Sequence, residues 1–179
     1  YVGNTLIATN VSSVGIPTLA SNDDAFISFM SSAGVASLYR RSDGLTVTFP
    51  SVPAGSTAIG DTTFLAPNGD LYEGNTLVAT GVASVGVPTL SSNDDAFISF
   101  MSSTGVASLY RRSDGLTVTF PSVPVGSTAI GDTTYLAPNG NLYVGNALVA
   151  SNVASAGMPS LSNNNDAFTP YMVAPTCAW

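Results

Sequence analysis

The chain has 179 residues, 45% hydrophobic and 8% charged, with four Arg, no Lys, no His and a net charge of −7. So few cations exclude a nucleic-acid surface or an anionic-membrane surface, both of which need a basic face. Without His or Lys, hydrolase triads, Schiff-base chemistry and most zinc sites are excluded as well.

Residues 1–20 read YVGNTLIATNVSSVGIPTLA. Gly3-Asn4 is a turn signal, and the alternating, β-branched Thr5–Thr9 predicts a strand. Asn10-Val11-Ser12 is a glycosylation sequon. From Asp24 onward the pattern predicts a three-stranded meander. Asp24–Phe29 is apolar and aromatic, Val35–Arg41 follows a small-residue turn, and Leu45–Phe49 alternates strictly after the Asp43-Gly44 turn. Pro50 closes it by removing a backbone donor. A second meander follows: Asp61–Ala66, the turn Pro67-Asn68-Gly69, Asp70–Glu73, Gly74-Asn75, and Thr76–Thr80. No stretch longer than a turn has helical periodicity.

The chain then repeats itself. Asp24–Gly60 returns as Asp95–Gly131, an offset of 71, with Thr104 for Ala33 and Val125 for Ala54 as the only changes. The same offset joins Tyr1-Val2-Gly3-Asn4 to Tyr72-Glu73-Gly74-Asn75 and to Tyr143-Val144-Gly145-Asn146. Each period holds two related halves opening at Asp24 and Asp61, or at Asp95 and Asp132, so the unit is about 36 residues. It contains three strands and a possible fourth in the Val-x-Val-Gly-x-Pro segment. The chain opens mid-repeat at Tyr1 without an initiating Met, from which a processed or excised form is expected.

A meander this short cannot bury both faces alone, so copies must stack; radial stacking makes a β-propeller. Through phrases such as Asn139-Gly140-Asn141-Leu142-Tyr143-Val144-Gly145 the unit resembles the blades of PQQ-type and tachylectin-like propellers. The expectation is a single all-β domain over 1–179, a five-bladed β-propeller. Its full blades are 24–60, 61–94, 95–131 and 132–165; half-blades 1–23 and 166–179 supply the fifth, within one molecule or between neighbours. Alternatives are a solenoid or sandwich. If neighbours complete each other without closing, the contact propagates as a filament. Assembly then rests on Tyr1, Val2, Asp166, Phe168 and Tyr171, and on a tail that leaves the repeat and carries Cys177 and Trp179. Cys177 is either a buried small residue or a partner for another chain.

The chemistry-bearing residues are few. Asp23-Asp24 and Asp94-Asp95 are adjacent, so in a strand they face opposite ways and make a poor acid/base pair. An Asp opening each unit suits the capping of turn amides. Calcium is the metal that oxygen ligands would suit, at Asn22-Asp23-Asp24, Asn93-Asp94-Asp95 or Asn163-Asn164-Asn165-Asp166, but none has the spacing of a calcium loop. No metal or cofactor is therefore expected. Arg40, Arg41, Arg111 and Arg112 either pair with Asp43, Asp114 or a neighbouring blade's Asp, or recognise an anionic sugar or a partner's carboxylate, with Tyr39 and Tyr110 available to stack on a sugar. The functional expectation is a non-enzymatic, extracellular or cell-surface structural protein that self-associates; the alternative is a lectin-like propeller that binds cell-surface glycans.

Overall fold

The computed structural model describes residues 1–162 and 167–175. All regular elements among them are β-strands. The first sheet contains β1 (Val11–Val14), β2 (Thr18–Leu19), β3 (Ala25–Ser31), β4 (Ala36–Arg40) and β5 (Thr46–Phe49), in the order β1-β3-β4-β5 with β2 also on β3. The second is the meander β6 (Thr57–Gly60), β7 (Thr63–Leu65), β8 (Leu71–Glu73) and β9 (Thr76–Ala79). The next period repeats both. A third sheet holds β10 (Val82–Val85), β11 (Thr89–Leu90), β12 (Ala96–Ser102), β13 (Ala107–Arg111) and β14 (Thr117–Thr119). A fourth holds β15 (Thr128–Gly131), β16 (Thr134–Leu136), β17 (Leu142–Val144) and β18 (Ala147–Ala150). All these pairings are antiparallel, as the hairpin chemistry of the turns requires.

The extra strand of each odd sheet comes from the connection before Asp24 or Asp95. There Val11–Val14 and Val82–Val85 pair forward with β3 and β12, each through a register shift. Sheet and sequence unit are thus out of phase by one strand. Just after β1, Gly15 brings the chain so close to β3 that a Cβ would lie 2.2 Å from Ser28 Oγ; Gly86 stands in the same relation to Ser99 Oγ at 2.3 Å.

Both faces of the inner sheets are covered. Met30, Ala36 and Phe49 of the first sheet pack on Val52, Ala58 and Phe64 at the second. The second then presents Leu71, with Leu65 and Val78, to Val82, Ile98, Phe100 and Tyr110 of the third. The first contact recurs between the third and fourth sheets as Met101, Ala107, Phe120, Val123, Ala129 and Tyr135. Phe49–Phe64 and Phe120–Tyr135 meet at ring centroids of 5.7 and 5.8 Å, both tilted by 55°. Each fully buried side chain of this size contributes about 1.5–3 kcal/mol, so the interfaces between units, not the units themselves, hold most of the stability. The outermost strands escape burial: Val47 on β5 and Val118 on β14 are exposed although the alternation around them is strict.

The predicted fifth blade is not joined within the chain. β19 (Val153–Ala156) pairs with β22 (Tyr171–Val173), and β20 (Ser160–Leu161) with β21 (Ala167–Phe168). These are the local pairings that β1 and β2 make with β3, repeated 142 residues later. At the other end Thr5–Thr9 is not a strand; the described contact is a single bridge, Val2 to Thr5. Its copies Thr76–Ala79 and Ala147–Ala150 are strands at the end of four-stranded meanders, and among the described residues no such meander lies beside Thr5–Thr9.

Candidate functional site

Where repeats meet, the short strands β2, β11 and β20 lie side by side and converge on one cavity of about 340 Å³. Its wall includes Pro17, Thr18, Pro88, Thr89, Pro159 and Ser160, equivalent positions drawn from three successive periods. The even sheets reach the same region. Ile16 N–H donates to the Ile59 carbonyl at 2.8 Å, and a Cβ at Gly60 would lie 2.9 Å from the Ile16 carbonyl oxygen and 3.3 Å from Pro88 Cδ. The Thr18 and Thr89 hydroxyls are buried there without a hydrogen-bond partner.

The arginines divide into three environments. Arg40 Nε donates to Asp43 Oδ1 at 3.0 Å and Arg111 Nε to Asp114 Oδ1 at 3.0 Å, both across exposed turns. The hydrogen bond from Arg40 holds the Asp43 carboxyl down at about 2, and Arg111 lowers Asp114 in the same way. Arg41 donates to the Asp23 carbonyl. Its copy Arg112 makes the equivalent contact with the Asp94 carbonyl but also grips the second sheet: Nη1 lies 2.7 Å from Asp61 Oδ2 and 3.1 Å from Glu73 Oε1. Thr62 and Thr63 donate their hydroxyls to Glu73, the latter at 2.9 Å.

Asp61 and Glu73 are both buried, and burial raises the pKa of each; Arg112 opposes the rise at Asp61, and the nearby Asp61 charge adds to it at Glu73. Burial disfavours the charge on Arg112 too, yet the two carboxylates outweigh it and its pKa is raised. This is a clamp between sheets, with two carboxylates on one guanidinium. The expected pairing of an arginine with a neighbouring unit's Asp holds for Arg112 and Asp61; the second carboxylate was not expected, although a signal exists: Glu73 is the sole Glu, standing where the copies have Val2 and Val144.

The remaining candidates are placed as follows. Tyr110 is buried in the core between the second and third sheets, and Tyr39 is half-buried. Asp24 accepts from Ser42 N–H at 2.8 Å and from its hydroxyl, and Asp95 does the same for Ser113, so both carboxylates cap turns. Asp94 reaches the preceding repeat, accepting from Ser21 N–H at 2.7 Å. Asn163–Asp166, Cys177 and Trp179 lie outside the described residues.

The two ends each present half of a sheet. Residues 1–8 lean on the first sheet, where Tyr1, Ile7 and Ala8 share a small cavity with Val14, Ile27 and Phe29. The C-terminal strands lean on the fourth, where the hydroxyls of Thr134 and Thr169 are 3.1 Å apart. Tyr1 is 82% exposed and Phe168 61%. Their copies Tyr72, Tyr143, Phe26 and Phe97, set inside complete sheets, are half-buried. The chain matches no family model, no curated protein and no solved structure.

Proposed function

We propose that this chain is a non-enzymatic, extracellular structural protein, a self-associating subunit of a surface fibre, sheath or appendage. Its architecture in this reading is a β-propeller of short blades, four complete and a fifth made from the two terminal half-sheets. The observation that carries it is the pair of half-sheets with uncovered apolar side chains. Tyr1 and Val14 at one end and Phe168, Tyr171 and Met172 at the other are exposed, while their internal copies are buried or half-buried, Phe29, Phe100, Met30 and Met101 among the buried ones. Exposed apolar surface of this kind marks an interaction site. The convergence of three periods on one cavity supports a radial rather than a linear arrangement, because equivalent positions meet at a common centre. Nearly identical repeats with sparse charge suit a protein whose work is packing against copies of itself. Electron microscopy of the purified chain tests the reading: fibres or extended arrays are expected, and a field of isolated single-chain particles at every concentration would refute it.

A further inference from the structure

We infer, building on the assembly reading above, that the open half-sheets are completed in trans. Residues Tyr1–Gly3 of one copy form the next strand on β21 of another, with Val2 opposite Phe168.

The register comes from the chain's own pairings. In the first sheet Phe26 pairs with Arg40, Ile27 with Tyr39 and Ser28 with Leu38. In the second, Thr63 pairs with Glu73, Phe64 with Tyr72 and Leu65 with Leu71. Each residue of the second set stands a constant 37 positions after its counterpart on the inner strand and 33 after it on the outer. The two kinds of sheet therefore use one register, flanked by the same hydrogen bond: Arg41 N–H to the Ala25 carbonyl at 3.0 Å, and Gly74 N–H to the Thr62 carbonyl at 2.8 Å. A front half of the odd kind and a back half of the even kind are thus interchangeable parts.

β21 is such a front half, a copy of the start of β3 lying 142 residues later; residues 1–9 are such a back half, a copy of Tyr72–Thr80. Applying the common register places Gly3 opposite Ala167, Val2 opposite Phe168 and Tyr1 opposite Thr169. Pro170, which has no amide hydrogen, follows on the same edge, so the pairing needs no longer partner.

The incoming hairpin is already shaped for the role. Val2 and Thr5 exchange hydrogen bonds of 2.9 and 3.0 Å, and Gly3 has φ 56°, against 56° and 57° at its copies Gly74 and Gly145 in the complete sheets. What it lacks is the neighbouring strand. Within one chain the two halves do not supply each other: each rests on its own neighbouring sheet, and Tyr1 and Phe168 are both exposed. The occupant that fits both edges is a second copy of this chain. The contact is head-to-tail, so successive copies add in one direction.

Disulfide trapping tests it. Glu73 and Thr63 flank the hydrogen-bonded pair Gly74–Thr62, so the equivalent Val2–Phe168 pair is a non-hydrogen-bonded one, whose short Cα separation suits a disulfide. Val2→Cys and Phe168→Cys are combined in one chain with Cys177→Ser, and the variant is oxidised and run without reductant, its circular dichroism compared with that of the unmodified chain. The expected result is a reducible ladder in multiples of 18.1 kDa. Mixing the two single-cysteine chains should stop at a cross-linked dimer. A disulfide confined to single-chain mass would overturn the inference by showing that the halves join in cis. No cross-link would overturn it also. If the unmodified chain then still sediments as oligomers, assembly stands and only this contact falls; if it sediments as single chains, both fall.

Discussion

Replacing Arg112 with Met isolates the clamp between the second and third sheets. The substitution keeps most of the aliphatic stem and removes the one cation facing buried Asp61 and Glu73. Breaking a fully buried ion pair from one side costs about 3–5 kcal/mol because the remaining charge is left unpaired. The Arg112 side chain is 34% exposed, so water screens part of the interaction and about 2–3 kcal/mol is expected. For a domain of this length each kcal/mol moves the melting temperature by about 2–4 °C, giving a loss of about 4–12 °C. The pH dependence has a definite sign. Both carboxylates titrate higher folded than unfolded, so the stability linked to their protonation is fully present below the unfolded pKa values and is lost as pH rises through the folded ones. Without the guanidinium the folded values climb further. The deficit of Arg112→Met should therefore be largest at neutral pH and shrink as pH falls into the carboxylate range. The control is Arg41→Met, the same position one repeat earlier, where the described contact is a backbone carbonyl; it should shift the melting temperature by much less. Thermal unfolding followed by circular dichroism across pH provides the readout. Equal losses for the two variants, or a deficit for Arg112→Met that grows on acidification, would refute the reasoning.

Glu73→Val installs the residue found at both copies and leaves a one-to-one Arg112–Asp61 pair; in the same melts it should flatten the pH dependence, at a cost of up to about 1–3 kcal/mol because the buried Thr63 hydroxyl loses its acceptor. Gly86→Ala should destabilise by about 1–3 kcal/mol in denaturant titration, because its Cβ would meet the Gly131 nitrogen at 2.6 Å as well as Ser99 Oγ, and overpacking next to backbone cannot relax cheaply. Ser99→Ala should be neutral or stabilising by up to about 1–3 kcal/mol, since the Ser99 hydroxyl is buried with no partner and its removal ends that cost; a clear loss in the same titration would mean that the hydroxyl is satisfied. Phe64→Ala, which empties the centre of the first inter-sheet core, should cost about 3–5 kcal/mol in that assay.

Much of the fold was legible because its signals are local. Asp43-Gly44 and Pro67-Asn68-Gly69 gave the turns, and the alternation in Leu45–Phe49 gave a strand, although its place at a sheet edge left Val47 in water. Val11–Val14 was harder. Two serines and a flanking Gly-x-Pro left it the optional fourth strand of the unit, and its pairing with β3 makes it one. The repeat marks the terminal segments as partial copies of the unit but does not say where each settles. β19 and β22 pair as β1 does with β3, and β20 and β21 as β2 does with β3, local pairings that leave the opposite edge of β21 without a strand among the described residues. Of the site residues, Arg40 with Asp43 could be read from their spacing of three. For Arg112 an Asp of a neighbouring unit was among the expected partners, but which Asp, and the addition of Glu73, could not be read, since the two carboxylates lie 51 and 39 residues away and depend on how sheets stack. The cavity shared by three periods depends on stacking in the same way: Thr18, Thr89 and Ser160 are equivalent in sequence, but their residue types alone do not say that they meet.

Light scattering of the purified chain over a range of concentrations reaches the centre of the account. The weight-average mass should rise above 18.1 kDa as concentration increases, and should return to 18.1 kDa when Phe168→Asp places a charge on the open edge. A mass of 18.1 kDa at every concentration, or oligomers indifferent to Phe168→Asp, would contradict it.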